Sequence, residues 1–106
     1  MMTRDELLEF HQTACDTAKQ IMAKKNNDYA GGRGTVFANF ERVEALGICS
    51  TEQGFLVRMA DKLSRLATYA EKGKLEVQDE TVHDTLLDMI NYSILLGAYL
   101  SEKAKK

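Results

Sequence analysis

DETVHDTLLDMINYSILLGAYL, residues 79–100, is the stretch whose reading decides the fold. Wound on a helix at roughly 100° per residue, Val82, Leu86, Met89, Ile90, Ile94, Leu96 and Leu100 form a broad apolar face, which Leu87 and Leu95 widen. A helix so apolar is expected to be mostly buried. Glu80, Asp84, Asp88 and Asn91 nevertheless recur at helical spacing and stack into one narrow polar stripe. Like charges four residues apart repel, and a desolvated carboxylate is costly without a cation. The stripe therefore predicts a positive partner, either a metal ion or the Arg and Lys residues of another helix.

Moving upstream, Ser50 with Gln53 three residues later reads as a capping box for a helix over 51–72, and Gly73 reads as its stop. Its expected core stripe is Phe55, Leu56, Met59, Leu63, Leu66 and Ala70. Arg58, Asp61, Lys62, Arg65 and Tyr69 occupy the adjoining face. Only a short connection separates this helix from the last one, which is placed at about 79–103 with Asp79 or Thr81 as its cap. Neighbours joined so closely lie antiparallel, so their polar strips are expected to meet.

The first helix is read over 3–25, capped by Thr3 and carrying Asp5 and Glu6 in its first turn. Leu7, Leu8, Ala14, Cys15, Ala18, Ile21 and Met22 make its apolar stripe, and His11 interrupts it, read as a hydrogen-bonded core or interface residue ahead of a ligand. Glu6 and Glu9 stand at a spacing suited to a metal, although acids at a helix start also complement its dipole. After Lys24 and Lys25, the segment 30–34 places three glycines within four residues. Such a loop, flanked by Lys24, Lys25 and Arg33, suits close approach of backbone N–H groups to an anion, though it lacks the Walker pattern. A surface loop is the plainer reading of the same composition. A short helix over 35–46 follows, with Phe37, Phe40 and either Val43 or Ala45 on its apolar side. Its phenylalanines read first as packing, with stacking on a base as the functional alternative.

The chain reads as one all-α domain over 1–106, a four-helix bundle completed by oligomerisation as a dimer or tetramer. With 14 Lys+Arg against 16 Asp+Glu, the net charge of −2 gives no general affinity for a DNA backbone, and no direct DNA binding is expected. Cys15 and Cys49 form no CxxC pair and would stay reduced inside a cell. There is neither a signal-peptide pattern nor an apolar run of about 18 residues, so a soluble cytoplasmic protein without membrane contact is expected.

Two uses of the charged strips remain open on these grounds. In the structural one, Arg58, Lys62 and Arg65 pair with Glu80, Asp84 and Asp88 and fix the register of the two helices. In the functional one, the carboxylates hold Mg²⁺ while the bases grip nucleotide phosphates, a task for which one or two acids suffice. Tyr92 and Tyr99 read as packing or subunit contacts.

KNNDYAGG at 25–32, the phenylalanines after it, RMADKLSRL at 58–66 and DTLLDMINYSILL at 84–96 occur in an informative order. Together, over about positions 19 to 97, they resemble the nucleotide modification associated family of small helical proteins, mostly of phages and bacteria. More distantly, they are similar to the MazG-like all-α nucleoside triphosphate pyrophosphohydrolases. The resemblance implies a dimeric or tetrameric nucleotide-binding domain with Mg²⁺ held between helices for attack of water on a phosphoanhydride. It assigns Asp84 and Asp88 as catalytic residues, Asp61, Asp84 and Asp88 as metal ligands, and Lys62 and Arg65 as basic positions. Lys25, Tyr29, Arg33, Phe37, Arg58 and Asn91 complete the expected substrate-binding set. The chain departs from the full MazG-like pattern, which pairs ExxE with ExxD. Here the third helix offers Asp61 with Ser64, and the last helix has aspartates four apart.

These observations predict a Mg²⁺-dependent hydrolase acting on a phage or modified nucleotide pool. The alternative is a non-catalytic phage sponge that sequesters a signalling or cyclic nucleotide at a subunit interface against host defence. Either would work in the cytoplasm of an infected or lysogenic cell.

Overall fold

The computed structural model describes residues 1–30, 36–74 and 81–105, and the side chains of these except 26–30. Four helices follow one another among the described residues: α1 (Arg4–Ala30), α2 (Ala38–Ala45), α3 (Thr51–Lys72) and α4 (Val82–Ala104), with no strand. The all-α expectation holds. Helix α1 passes Lys25 because the polar residues beyond it cost helix only tenths of a kcal/mol each, and the first glycine comes at Gly31. Helix α2 starts three residues later than expected.

The helix ends obey their local chemistry. Thr3 Oγ1 accepts from Glu6 N–H at 3.1 Å, and the Glu6 carboxylate takes the Thr3 N–H in return. Ser50 and Gln53 form the predicted capping box of α3, and Thr81 with Asp84 forms that of α4. Gly73 ends α3 at φ 75°, a left-handed conformation that a side chain would strain.

The buried core is aromatic. Phe40 of α2 stacks on Phe55 of α3 with centroids 4.1 Å apart, and Phe37 meets Tyr99 of α4 edge-on at 5.4 Å. Tyr92 closes on Phe40 at 6.1 Å, so both tyrosines pack, as expected from their spacing. Each aromatic pair adds about 1 kcal/mol beyond the area it buries. Arg58 lies with its guanidinium carbon 4.5 Å from the Phe40 centroid, which directs its charge onto a ring face.

Three sequence expectations about burial are corrected. Leu56, Leu63 and Ala70, read as core, are exposed on α3, while Phe55 is fully buried. On α4, read as mostly buried, Leu86, Ile94 and Leu100 are 43%, 53% and 45% exposed. On α1, Leu7 and Leu8 are exposed as well, and Ala18 is the buried residue of the stripe. The reason is geometric. Periodicity marks a face that wants cover, but α3 leans on α2 and α4 through its Phe55, Arg58 and Lys62 side, so Leu56 and Leu63 turn outward.

Candidate functional site

The polar stripe of α4 finds its positive partners where α1, α3 and α4 converge. Asp88, on the second turn of α4, takes Lys62 of α3 at 2.9 Å on Oδ2 and Lys25 of α1 at 3.4 Å on Oδ1. Lys62 and Asp88 are largely shielded, whereas Lys25 is half exposed. Of the two partners left open by the sequence, metal ion or basic side chains, lysines from two different helices fill the role. Two ammonium groups from different helices thus bracket one carboxylate, and ammonium groups are donors that also suit an oxyanion.

One turn further, Asn91 is buried and donates from Nδ2 to the Ala18 carbonyl of α1 at 3.0 Å. Its Oδ1 is buried without a hydrogen-bond partner. The bond to Ala18 fixes the orientation of the amide, so the atom left over is the oxygen, an acceptor. Lys25 and Asn91, named separately from the sequence, thus belong to one α1–α4 contact that also holds Asp88.

Other expected site residues lie elsewhere. Asp84 serves the α4 cap: its Oδ2 accepts from Thr81 N–H at 2.9 Å, and that bond first, then the Thr81 hydroxyl, holds its carboxyl below the usual aspartate range. Asp61 pairs with Arg65 one turn along α3 at 3.4 Å and is mostly exposed. Phe37 is sealed in the core rather than presented to a ligand. Arg33, the glycines at 31, 32 and 34 and Glu80 lie outside the described residues, as does the side chain of Tyr29.

Among the described residues, no group of three or more His, Cys, Asp or Glu comes together to hold a metal. Asp61, Asp84 and Asp88 are each engaged by a different donor, from Arg65, from Thr81, and from Lys25 and Lys62. The three acids read from the sequence as Mg²⁺ ligands are thus not gathered into one group among the described residues. Glu6 likewise serves the α1 cap.

The architecture so far defines a small all-α domain with a lysine-flanked carboxylate at a three-helix junction. Residues 49–97, which hold α3 and most of α4, match the family described as nucleotide modification associated domain 1. The matched segment carries Lys62, Asp88 and Asn91, and the family resemblance read from the motifs holds over that stretch. No curated protein matches the chain, and no solved structure does. Among the described residues, no helix is long and apolar enough to cross a membrane.

Proposed function

We propose that this protein binds a nucleotide through its phosphates at the junction of α1, α3 and α4. The observation that carries the reading is the Lys25–Asp88–Lys62 arrangement, in which lysines of α1 and α3 meet at one carboxylate of α4, two of the three residues lying in the family-matched segment. Lysine is a mobile point charge with three donors, so both ammonium groups can swing from Asp88 to phosphate oxygens without moving a helix. Asp88 then acts as the resting partner that keeps the lysines placed. In the sequence, Arg33 and the glycine-rich segment come directly after α1 and are residue types that phosphates accept as donors. Among the described residues Asp61, Asp84 and Asp88 are each taken up by a different donor, which favours retention of an intact nucleotide over hydrolysis.

The test is to incubate the protein with nucleoside mono-, di- and triphosphates and cyclic nucleotides, with Mg²⁺ or with EDTA. Bound material is then released by heat and analysed by chromatography. The expected result is a nucleotide that leaves solution in EDTA and returns unchanged, with affinity falling at least about tenfold in Lys25→Met/Lys62→Met. Metal-dependent formation of monophosphate and pyrophosphate would instead establish a hydrolase. Failure to bind any nucleotide would end the proposal.

A further inference from the structure

Two side chains away from the lysine junction meet on the first half of α1. Cys15 Sγ lies 3.8 Å from His11 Nδ1, one helical turn along. His11 is exposed, as is every residue from Arg4 to Thr13, and Cys15 is a half-buried free thiol. We infer that this pair is a binding site for a borderline-soft divalent cation of the zinc class. The inference stands apart from the nucleotide reading, and both residues precede the family-matched segment 49–97.

The donor set selects the ion. Imidazole nitrogen and thiolate sulfur are the donors that zinc-class ions take, whereas Mg²⁺ and Ca²⁺ are held by oxygen. The chain has two histidines and two cysteines, and one of each comes together here.

The distance fits a shared ion. Zinc stands about 2.3 Å from sulfur and about 2.0–2.1 Å from nitrogen, so tetrahedral coordination sets two such donors about 3.6 Å apart. The observed 3.8 Å differs from that bite by about 0.2 Å, which a small side-chain rotation closes without moving the backbone. The four-residue spacing is what puts both donors on one face of the helix.

The surroundings leave the pair accessible. Gln12 donates to Asp16 Oδ1 at 3.0 Å, so these neighbouring polar groups are bonded to each other. Lys19, one turn beyond Cys15, is exposed and carries its charge on a long stem that reaches into water. A hydrated ion therefore meets His11 and Cys15 from solvent. On binding, the thiol releases its proton to water, sulfur and nitrogen each donate an electron pair to the metal, and water fills the remaining positions. Two protein donors make an open site, unlike the closed four-ligand sites that zinc uses for structure alone.

The experiment is a titration of the reduced, chelator-free protein with Co²⁺, read by the thiolate-to-cobalt charge-transfer absorption in the near ultraviolet. The band is expected to saturate at one ion per chain, with a Kd on the order of 10 µM. Zn²⁺ should abolish it, and excess Mg²⁺ should not. His11→Ala and Cys15→Ser should each weaken binding at least about tenfold with helical circular dichroism retained, while Cys49→Ser and His83→Gln leave it unchanged. Cys15→Ala/Asp16→Cys keeps both donor types but turns the thiol away from His11, so it should behave as Cys15→Ser does. No band in the wild type, one ion per two chains, full binding in His11→Ala, or full binding in Cys15→Ala/Asp16→Cys would overturn the inference.

Discussion

Lys62 Nζ donates to Asp88 Oδ2 at 2.9 Å across the α3–α4 contact, with the two side chains only 13% and 15% exposed. Removal of the carboxylate leaves two ammonium groups, from Lys25 and Lys62, at one junction without the anion between them. Asp88→Ala is therefore expected to cost about 2 kcal/mol of stability in urea unfolding. The double variant Lys62→Met/Asp88→Leu should cost less than Asp88→Ala alone, because it removes the shielded charge pair together rather than its acidic half.

Asn91 supplies a charge-specific test of the α1–α4 contact. An aspartate there has no donor for the Ala18 carbonyl when ionised and would bury its charge against it. Asn91→Asp should lose about 3 kcal/mol at neutral pH. Its folded pKa would be raised, so the loss should be absent below the ordinary aspartate value of about 4 and grow as pH rises above it. Denaturant midpoints across that range measure the effect.

Gly54 sits where α2 crosses α3. A Cβ at this position would meet Val43 Cγ2 at 2.8 Å, and the short branched side chain of valine has little room to yield. Alanine gains about 1 kcal/mol of helix propensity, yet the overlap should outweigh it and leave Gly54→Ala less stable by about 1 kcal/mol. In the Val43→Ala background the same substitution should become neutral or stabilising. Thermal unfolding of the four variants completes the cycle.

The cap of α4 makes an acid prediction. The Asp84 carboxyl is held below its ordinary value of 3.8 by the Thr81 N–H, so its contribution is full above that pH and lost as pH falls through the folded value. Glu52, lowered from 4.5 first by the hydrogen bond from Lys103, behaves alike. The same bond raises Lys103 above 10.5, so that half of the bridge is lost only as pH climbs past its folded value. Below about pH 4, the melting temperature of wild type should fall more steeply than that of Asp84→Asn.

Much of the local structure was legible in the chain. Ser50 with Gln53, Gly73 and Thr81 mark helix ends because capping is settled within a few residues. Phe40 and Phe55 read as core and are core. The α4 polar stripe foretold a positive partner, since repulsion between its acids follows from their spacing alone. Its members nevertheless part ways: Asp84 caps the helix, Asp88 pairs across it and Asn91 is buried. Lys25 was legible as a basic residue near the glycine-rich segment, but its meeting with Lys62 at Asp88 was not, because the two lysines stand on different helices.

The sequence by itself determined an all-α chain, its capping chemistry and the periodic faces that seek cover, for these depend on neighbours within one or two turns. The tertiary structure alone decided which faces are covered. It turned Phe55 inward and Leu63 outward, and it brought lysines from α1 and α3 to one carboxylate on α4. Periodicity states that an apolar or acidic stripe needs a partner, but the partner's identity is fixed by how helices distant in sequence pack.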